Sequence, residues 1–307
     1  MTFGLHRREF LKASAAGLIG AALPMAAFAK SGAPRLNATS LSDGMILIDG
    51  AGANVVAARK GDKVVMVDGG LAENSRHLLK LVHNELKSRR VDVLFNTHWH
   101  PEQTGSNVAL GKDGAKIISQ ENTRLWLTTD ITRPWENKTF EPLPKIAQPN
   151  DTFYRKGALP FGDETVEYGY LLQAHTDGDA YVYFPKENVL VAGGVVSGEG
   201  WPLVDWWTGG WIGGLVDGLA MLARVANDAT KVIPANGPVL SKADLVSQRQ
   251  MYETIHGRLV ESLNKGLGPE EAVAAAPTKE FDAKWGDPTQ FVTLAFESLW
   301  GHYAPDA

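Results

Sequence analysis

Apolar positions come in short runs interrupted by Gly, Asp and Asn, and their period changes along the chain. Residues 45–48, 55–58 and 64–67 read as strands with Gly-rich turns, the third ending in Asp68-Gly69-Gly70. Leu78, Leu79, Val82 and Leu86 then recur at helical spacing, which predicts a helix over about 74–89. A strand over 91–95 leads into Asn96-Thr97-His98-Trp99-His100, with a helix starting near Gln103 and a strand at 116–119. Residues 165–172, 181–184 and 189–196 read as further strands, followed by a helix over 215–226 and a strand at 231–234. The remainder reads as helical: 243–263, opened by a Ser241…Asp244 capping pattern, and 269–276 after Gly268. Strand pairs, then βα alternation, then both again predict two sheets with helices outside. No repeat of 20–50 residues is present.

Composition narrows the chemistry. The 307 residues carry 30 Lys+Arg against 35 Asp+Glu, a formal charge of −5, with 44% hydrophobic and 21% charged residues. Those values describe a globular chain of one large or two average domains. The mild acidity argues against a nucleic-acid partner, which would want clustered Lys and Arg. With no cysteine, disulfides, thiolate nucleophiles and Cys-ligated metals are excluded, so any metal must be held by His, Asp or Glu.

The N-terminus, His6-Arg7-Arg8-Glu9-Phe10-Leu11-Lys12, an apolar run to Leu23 and Ala27-Phe28-Ala29, resembles a twin-arginine export signal. The apolar run is too short to span a membrane. The resemblance implies a leader over 1–29 cleaved after about Ala29, passage through the twin-arginine machinery, a periplasmic protein, and no membrane span after cleavage. A polar Pro/Gly-containing stretch over 30–40 reads as a linker.

Of the eight histidines, three stand out. His98 and His100 follow a buried strand, and a period of two places both imidazoles on one side of extended chain. His175 follows a later strand, in Ala174-His175-Thr176-Asp177-Gly178-Asp179. Three neutral imidazoles converging from separate loops leave an open coordination position, as a catalytic divalent metal requires. His77 and His83 read as helix-surface positions, His256 as a packed residue, and His302 carries no signal.

Val67-Asp68-Gly69-Gly70, Asn96-Thr97-His98-Trp99-His100-Pro101-Glu102-Gln103-Thr104-Gly105, the His175 segment and Ile233-Pro234-Ala235-Asn236-Gly237-Pro238 follow one another in a telling order. In order and spacing they resemble the metallo-β-lactamase superfamily, over about residues 41–240. The resemblance implies an α+β fold, a four-layer αββα sandwich, with 241–307 as a C-terminal helical extension. It also implies metal ligands at His98, His100 and His175, and Asp68 beneath the histidine loop. Departures are equally informative. The family pattern H-x-H-x-D-H is here His98-x-His100-x-Glu102-Gln103; the bridging Asp falls near Gly193-Gly194, and the last His is replaced by Asn236. The first metal's ligands are intact, whereas those of a second are replaced by Glu102, Gln103, Gly194 and Asn236. This favours one divalent ion, zinc first, with copper or iron as alternatives.

Glu102 reads either as the base that deprotonates a water or as a helix N-terminal acid. Gln103 and Asn236 offer amides to a substrate, Asp179 either its own turn or a ligand histidine, and Asp177 a solvated turn. Glu199 and Asp205 are candidates for a substitute carboxylate. Trp201, Trp206, Trp207 and Trp211 read as an aromatic wall for an apolar or ring-containing small molecule, as a satellite core under a long loop, or as a dimer contact. The C-terminal helices read as packing or homodimer surface. Two functions follow: a metal-dependent hydrolase of an ester, lactone, thioester or amide, or a non-hydrolytic protein that handles or senses copper or zinc.

Overall fold

A computed structural model describes residues 35–303. The expected leader and its cleavage position lie outside the described residues. The chain begins with an antiparallel meander of β1 (Asn37–Ser42), β2 (Met45–Asp49), β3 (Val55–Lys60) and β4 (Lys63–Val67). After α1 (Ser75–Glu85) come β5 (Val93–Asn96), α2 (Pro101–Thr104), α3 (Asn107–Lys112), β6 (Lys116–Gln120) and α4 (Glu121–Trp126). A small hairpin, β7 (Ile131–Arg133) and β8 (Lys138–Phe140), precedes β9 (Asp151–Phe153), which joins the first sheet in the order β1-β2-β3-β4-β5-β6-β9. The second sheet is β10 (Lys156–Phe161), β11 (Glu164–Tyr170), β12 (Ala180–Phe184) and β13 (Val189–Gly193), with β14 (Lys231–Pro234) parallel to β13 after α5 (Ile212–Val225). The chain continues in α6 (Lys242–Asn264), α7 (Pro269–Ala274), α8 (Asp282–Trp285) and α9 (Thr289–Tyr303).

Strand alternation sorts these residues into layers. Val56, Ala58, Val67 and Phe95 point inward and meet Val182, Val189, Val191 and Ile233 of the other sheet. Their neighbours Val55, Ala57, Met66 and Leu94 point outward beneath Leu78, Val82 and Leu110 of α1 and α3. Leu190, Ala192 and Val232 point the other way, under Leu215, Leu219, Leu245, Ile255, Phe296 and Leu299 of α5, α6 and α9. The result is the αββα sandwich with a C-terminal helical region packed on its second outer face. Among the described residues, no helix is long and apolar enough to cross a membrane.

Several boundaries differ from the sequence expectation. Residues 37–40 of the stretch read as linker belong to an edge strand that runs to Ser42: their backbone pairs with β2 while their side chains stay exposed, so these positions show no apolar face to read. The first helix stops at Glu85, and Lys87 takes the left-handed conformation at φ 48°. The helix expected from Gln103 is split in two, because the Gln103 carbonyl accepts from the Gly69 amide (2.7 Å) and the Asn96 side chain (3.0 Å). Gly105 lies at that break, where a Cβ would stand 2.3 Å from the Gly70 carbonyl oxygen. The strand expected over 189–196 ends at Gly193, where φ is 58° and the chain turns towards His175. The Ser241–Asp244 capping box is present as expected.

Candidate metal centre

Asp68, Asn96, Gly194 and Ala235 lie just past the C-terminal ends, or at the last residues, of the parallel strands β4, β5, β13 and β14. This is the edge where open α/β sheets place their ligands. His98 and His100 sit in the loop after β5, and His175 in the loop between β11 and β12. All three are at least nine-tenths buried, and one ring nitrogen from each lies within 4.8 Å of the others. Ring centroids form a near-equilateral triangle of 4.6, 4.7 and 4.7 Å with the planes edge to face. Trp99, between the two histidines, points away into a satellite cluster with Leu127 and Ile131, and its Nε1–H donates to Thr208 Oγ1 at 3.0 Å.

Outer partners decide which nitrogen each ring offers. His98 Nδ1 lies 3.1 Å from Thr97 Oγ1, and that hydroxyl donates onward to Asp68 Oδ2 at 2.9 Å. Since the hydroxyl has one proton, it accepts from His98 Nδ1–H, which leaves Nε2 with its lone pair free. His100 has the opposite tautomer: Nε2–H donates to Asp205 Oδ2 at 2.9 Å, leaving Nδ1. His175 Nδ1 lies 3.5 Å from Asp179 Oδ1, beyond a good hydrogen bond, and has no partner among the described residues. Burial, reinforced by the neighbouring imidazoles and by Arg133, holds His98 well below the usual histidine range. Burial, then Arg133 and His175, does the same for His100. His98 and His100, kept neutral and each with one ring nitrogen free, stand with His175 as a group that could hold a single metal ion.

Asp68 is 1% exposed and left-handed at φ 64°, a conformation held by its carboxylate accepting both the Thr97 amide (2.8 Å) and hydroxyl. Burial, opposed by those hydrogen bonds, pushes its pKa up to about 7. It touches the histidine loop through Thr97. Asp179 satisfies its own turn, accepting from the Thr176 amide at 2.7 Å and the Thr176 hydroxyl at 3.1 Å. Asp177 is half-buried, accepts from Trp126 Nε1 at 2.6 Å, and is pushed up to about 6 by burial, so it is more than a solvated turn residue.

A cavity of about 290 Å³ opens onto the histidines, lined also by Glu102, Gln103, Arg133, Glu136, Trp201 and Asn236. Glu102 is half-buried in the first turn of α2. Gln103 is 3% exposed, and its Oε1 has no hydrogen-bond partner among the described residues. Asn236 is exposed at the rim, bonded to Ser197 Oγ and the Glu199 carbonyl. Only Trp201 of the four clustered tryptophans lines this cavity; it stacks on Phe291 at 4.7 Å. Trp206 bonds Glu297 and Trp211 stacks on His302, so both serve the packing of α9.

Among the described residues, the second-metal positions form no further group of three His, Asp or Glu placed to hold an ion. Gly194 presents no donor, and a Cβ there would stand 2.4 Å from His175 Nδ1. Asp205 and Glu199 do not line the cavity. Asp205 stands behind His100 with no exposure, its other oxygen accepting from the Thr208 amide at 3.2 Å. Its role as the partner that orients His100 was missed from sequence, as was Arg133; neither carries a spacing signal. Asp205→Asn is expected to weaken metal affinity by roughly 10–100-fold, the usual cost of losing such a partner. Competition against a chromogenic chelator measures this.

Residues 48–251 of the 307 match the family model "Metallo-beta-lactamase superfamily". Over 135 residues the chain is 27% identical to a metallo-beta-lactamase type 2 from Bacillus cereus, covering 44% of this chain. That match spans 47% of the curated relative, about half its length. A metallo-beta-lactamase structure from Pontibacter korlensis superposes with a TM-score of 0.57 at 19% identity, covering 71% of this chain and 99% of that one. A stereoselective inverting sec-alkylsulfatase from Pseudomonas sp. gives 0.66 at 14% identity, covering 89% of this chain and 51% of that one. At such identities the structural likeness is one of fold. Together with a family match over most of the sandwich, it establishes that the chain belongs to the metallo-β-lactamase superfamily.

Proposed function

We propose that this protein is a periplasmic metal-dependent hydrolase that opens an ester, lactone, thioester or amide bond at a mononuclear three-histidine centre. The observation that carries this reading is the histidine triangle: buried, with His98 and His100 kept neutral and pinned by outer partners, and open on one side to a cavity. When bound, a zinc ion at such a site supplies Lewis acidity and brings the pKa of its water to about 7. The protein's own groups then divide the work. Glu102, at the cavity wall without a hydrogen-bond partner among the described residues, takes up the water's proton. The unpaired Gln103 Oε1 accepts from a substrate N–H or O–H, and the Asn236 amide meets a substrate carbonyl at the rim. Trp201 offers an apolar surface to the rest of a small molecule. Relatives named as lactamases and as an alkylsulfatase support hydrolysis as the reaction class. The export signal read from residues 1–29 supports the periplasmic location.

The absent side chain at Gly194 favours a second reading, a non-hydrolytic metal-binding protein on the same scaffold. Metal analysis of the purified protein, beside turnover of an ester, lactone, thioester and β-lactam panel, separates the two. The expected result is one zinc per chain and hydrolysis that falls by about 10²–10⁴-fold in Glu102→Gln with metal retained. One copper and no hydrolysis would support the second reading. No stoichiometric metal would sink both.

A further inference from the structure

The cavity beside the histidines carries an incomplete cation. Arg133 ends β7, is 5% exposed, and is the only Lys or Arg among the described residues lining the cavity. Its guanidinium carbon lies 4.9 Å from the centroid of Trp99 and 5.0 Å from that of Phe140, so two aromatic rings hold the group. Nη1 donates to Glu136 Oε1 at 2.9 Å. Nε and Nη2 are buried and have no partner among the described residues. These two N–H groups belong to one edge of the fork. They point in parallel at a spacing that matches two oxygens of a single oxyacid group. A buried charged donor left unmatched is costly. Both atoms are closed to solvent as they stand, so an anion in the adjoining cavity completes them when the guanidinium turns towards it.

We propose that Arg133 is an anion subsite of the hydrolytic centre. The substrate carries a carboxylate or sulfo group near its scissile bond, and that group docks side-on against Nε and Nη2. This inference rests on the hydrolase reading for its chemistry but makes a separate binding claim. The arginine is placed for it: Trp99, on which it rests, is the residue between His98 and His100, so the two sites share one rigid segment. Glu136 occupies only the opposite nitrogen and leaves the paired edge without a partner. A merely structural arginine would brace Trp99 and the His100–Asp205 pair without regard to substrate charge.

The test compares 4-carboxyphenyl, 4-sulfophenyl and 4-carbamoylphenyl acetates, which differ only in the group offered to Arg133. Wild type should prefer one or both anionic esters by about 10–100-fold in kcat/KM, mostly through KM, as a charge-assisted pair implies. Which anion is favoured distinguishes carboxylate from sulfo recognition. Arg133→Met should erase the preference, and Arg133→Lys should keep part of it. Calorimetric titration of metal-free full-length protein with benzoate, benzenesulfonate and benzamide gives a readout independent of turnover. At least one anion should bind about 10–100-fold tighter to wild type than to Arg133→Met, with benzamide as the weak reference. No anion preference in a wild type that does hydrolyse esters would overturn the subsite and leave the hydrolase standing. Arg133-dependent anion binding without hydrolysis would do the reverse. Equal losses on all three esters with loss of metal would assign Arg133 a bracing role and overturn the proposal. If Arg133→Met does not fold, Arg133→Lys carries the comparison: unchanged anion affinity and preference there would overturn the side-on geometry.

Discussion

Replacing His175 with alanine is expected to remove the metal and, with it, at least about 10³-fold of any hydrolytic rate. The loss should exceed the roughly 10–100-fold that losing an outer partner costs, because a donor atom itself is gone. His98 and His100 come from one loop and cannot surround an ion without the third ring from the loop between β11 and β12. The variant should still fold, since His175 lies at the cavity edge and the three hydrophobic layers do not depend on it. A second readout follows from mass action: a ligand bound only by the native state stabilises it. Chelation should therefore lower the melting temperature of wild type and leave that of His175→Ala unchanged. Metal analysis and thermal scans with and without chelator check both. Retention of one ion per chain in His175→Ala would rule out the three-histidine site.

Restoring an acid at the vacant family position should damage the first site rather than build a second. Gly194→Asp places a Cβ 2.4 Å from His175 Nδ1 and 2.6 Å from its Cε1. Real side-chain contacts do not approach so closely, so the imidazole must shift or the turn after β13 must move. Overpacking of this kind costs about 1–3 kcal/mol. The larger effect should be on the metal: a displaced His175 opens the triangle, and metal per chain should fall below one. Titration with zinc, read by metal analysis and thermal stability, decides the matter. A variant binding two ions would show that glycine is there by drift. Binding of fewer than one would show that ring and glycine are fitted to each other.

The layers of this fold were legible because strand burial has a period of two. Val55-Val56-Ala57-Ala58 is apolar throughout, the mark of a strand buried on both faces, and its residues divide between the two hydrophobic layers. The edge strand Asn37–Ser42 was illegible for the converse reason: pairing uses backbone atoms, and its exposed side chains leave no pattern. The small hairpin β7–β8 was equally silent, being three residues a strand and held by contacts to Trp99 from far along the chain. At the site, His98, His100 and His175 could be named from spacing and family likeness, as could the missing acid at Gly194. Four of the nominated residues, Glu102, Gln103, Asn236 and Trp201, line the cavity. Asp68 reaches the centre through Thr97, and Asp179 mainly closes its own turn.

Sequence by itself determined the donor inventory: no cysteine, three histidines in two loops, and glycine where a carboxylate would bridge. Those are properties of residue identity and local order, and no packing can add a thiolate or a bridging side chain. Tertiary structure alone decided what surrounds the donors. Asp205 meets His100 across 105 positions, and Arg133 reaches from the β7–β8 hairpin to Trp99 in the histidine loop. Such contacts are made by the convergence of loops at one sheet edge, where distance in space has no relation to distance along the chain. That convergence sets which imidazole nitrogen is free and which guanidinium edge is left unpaired.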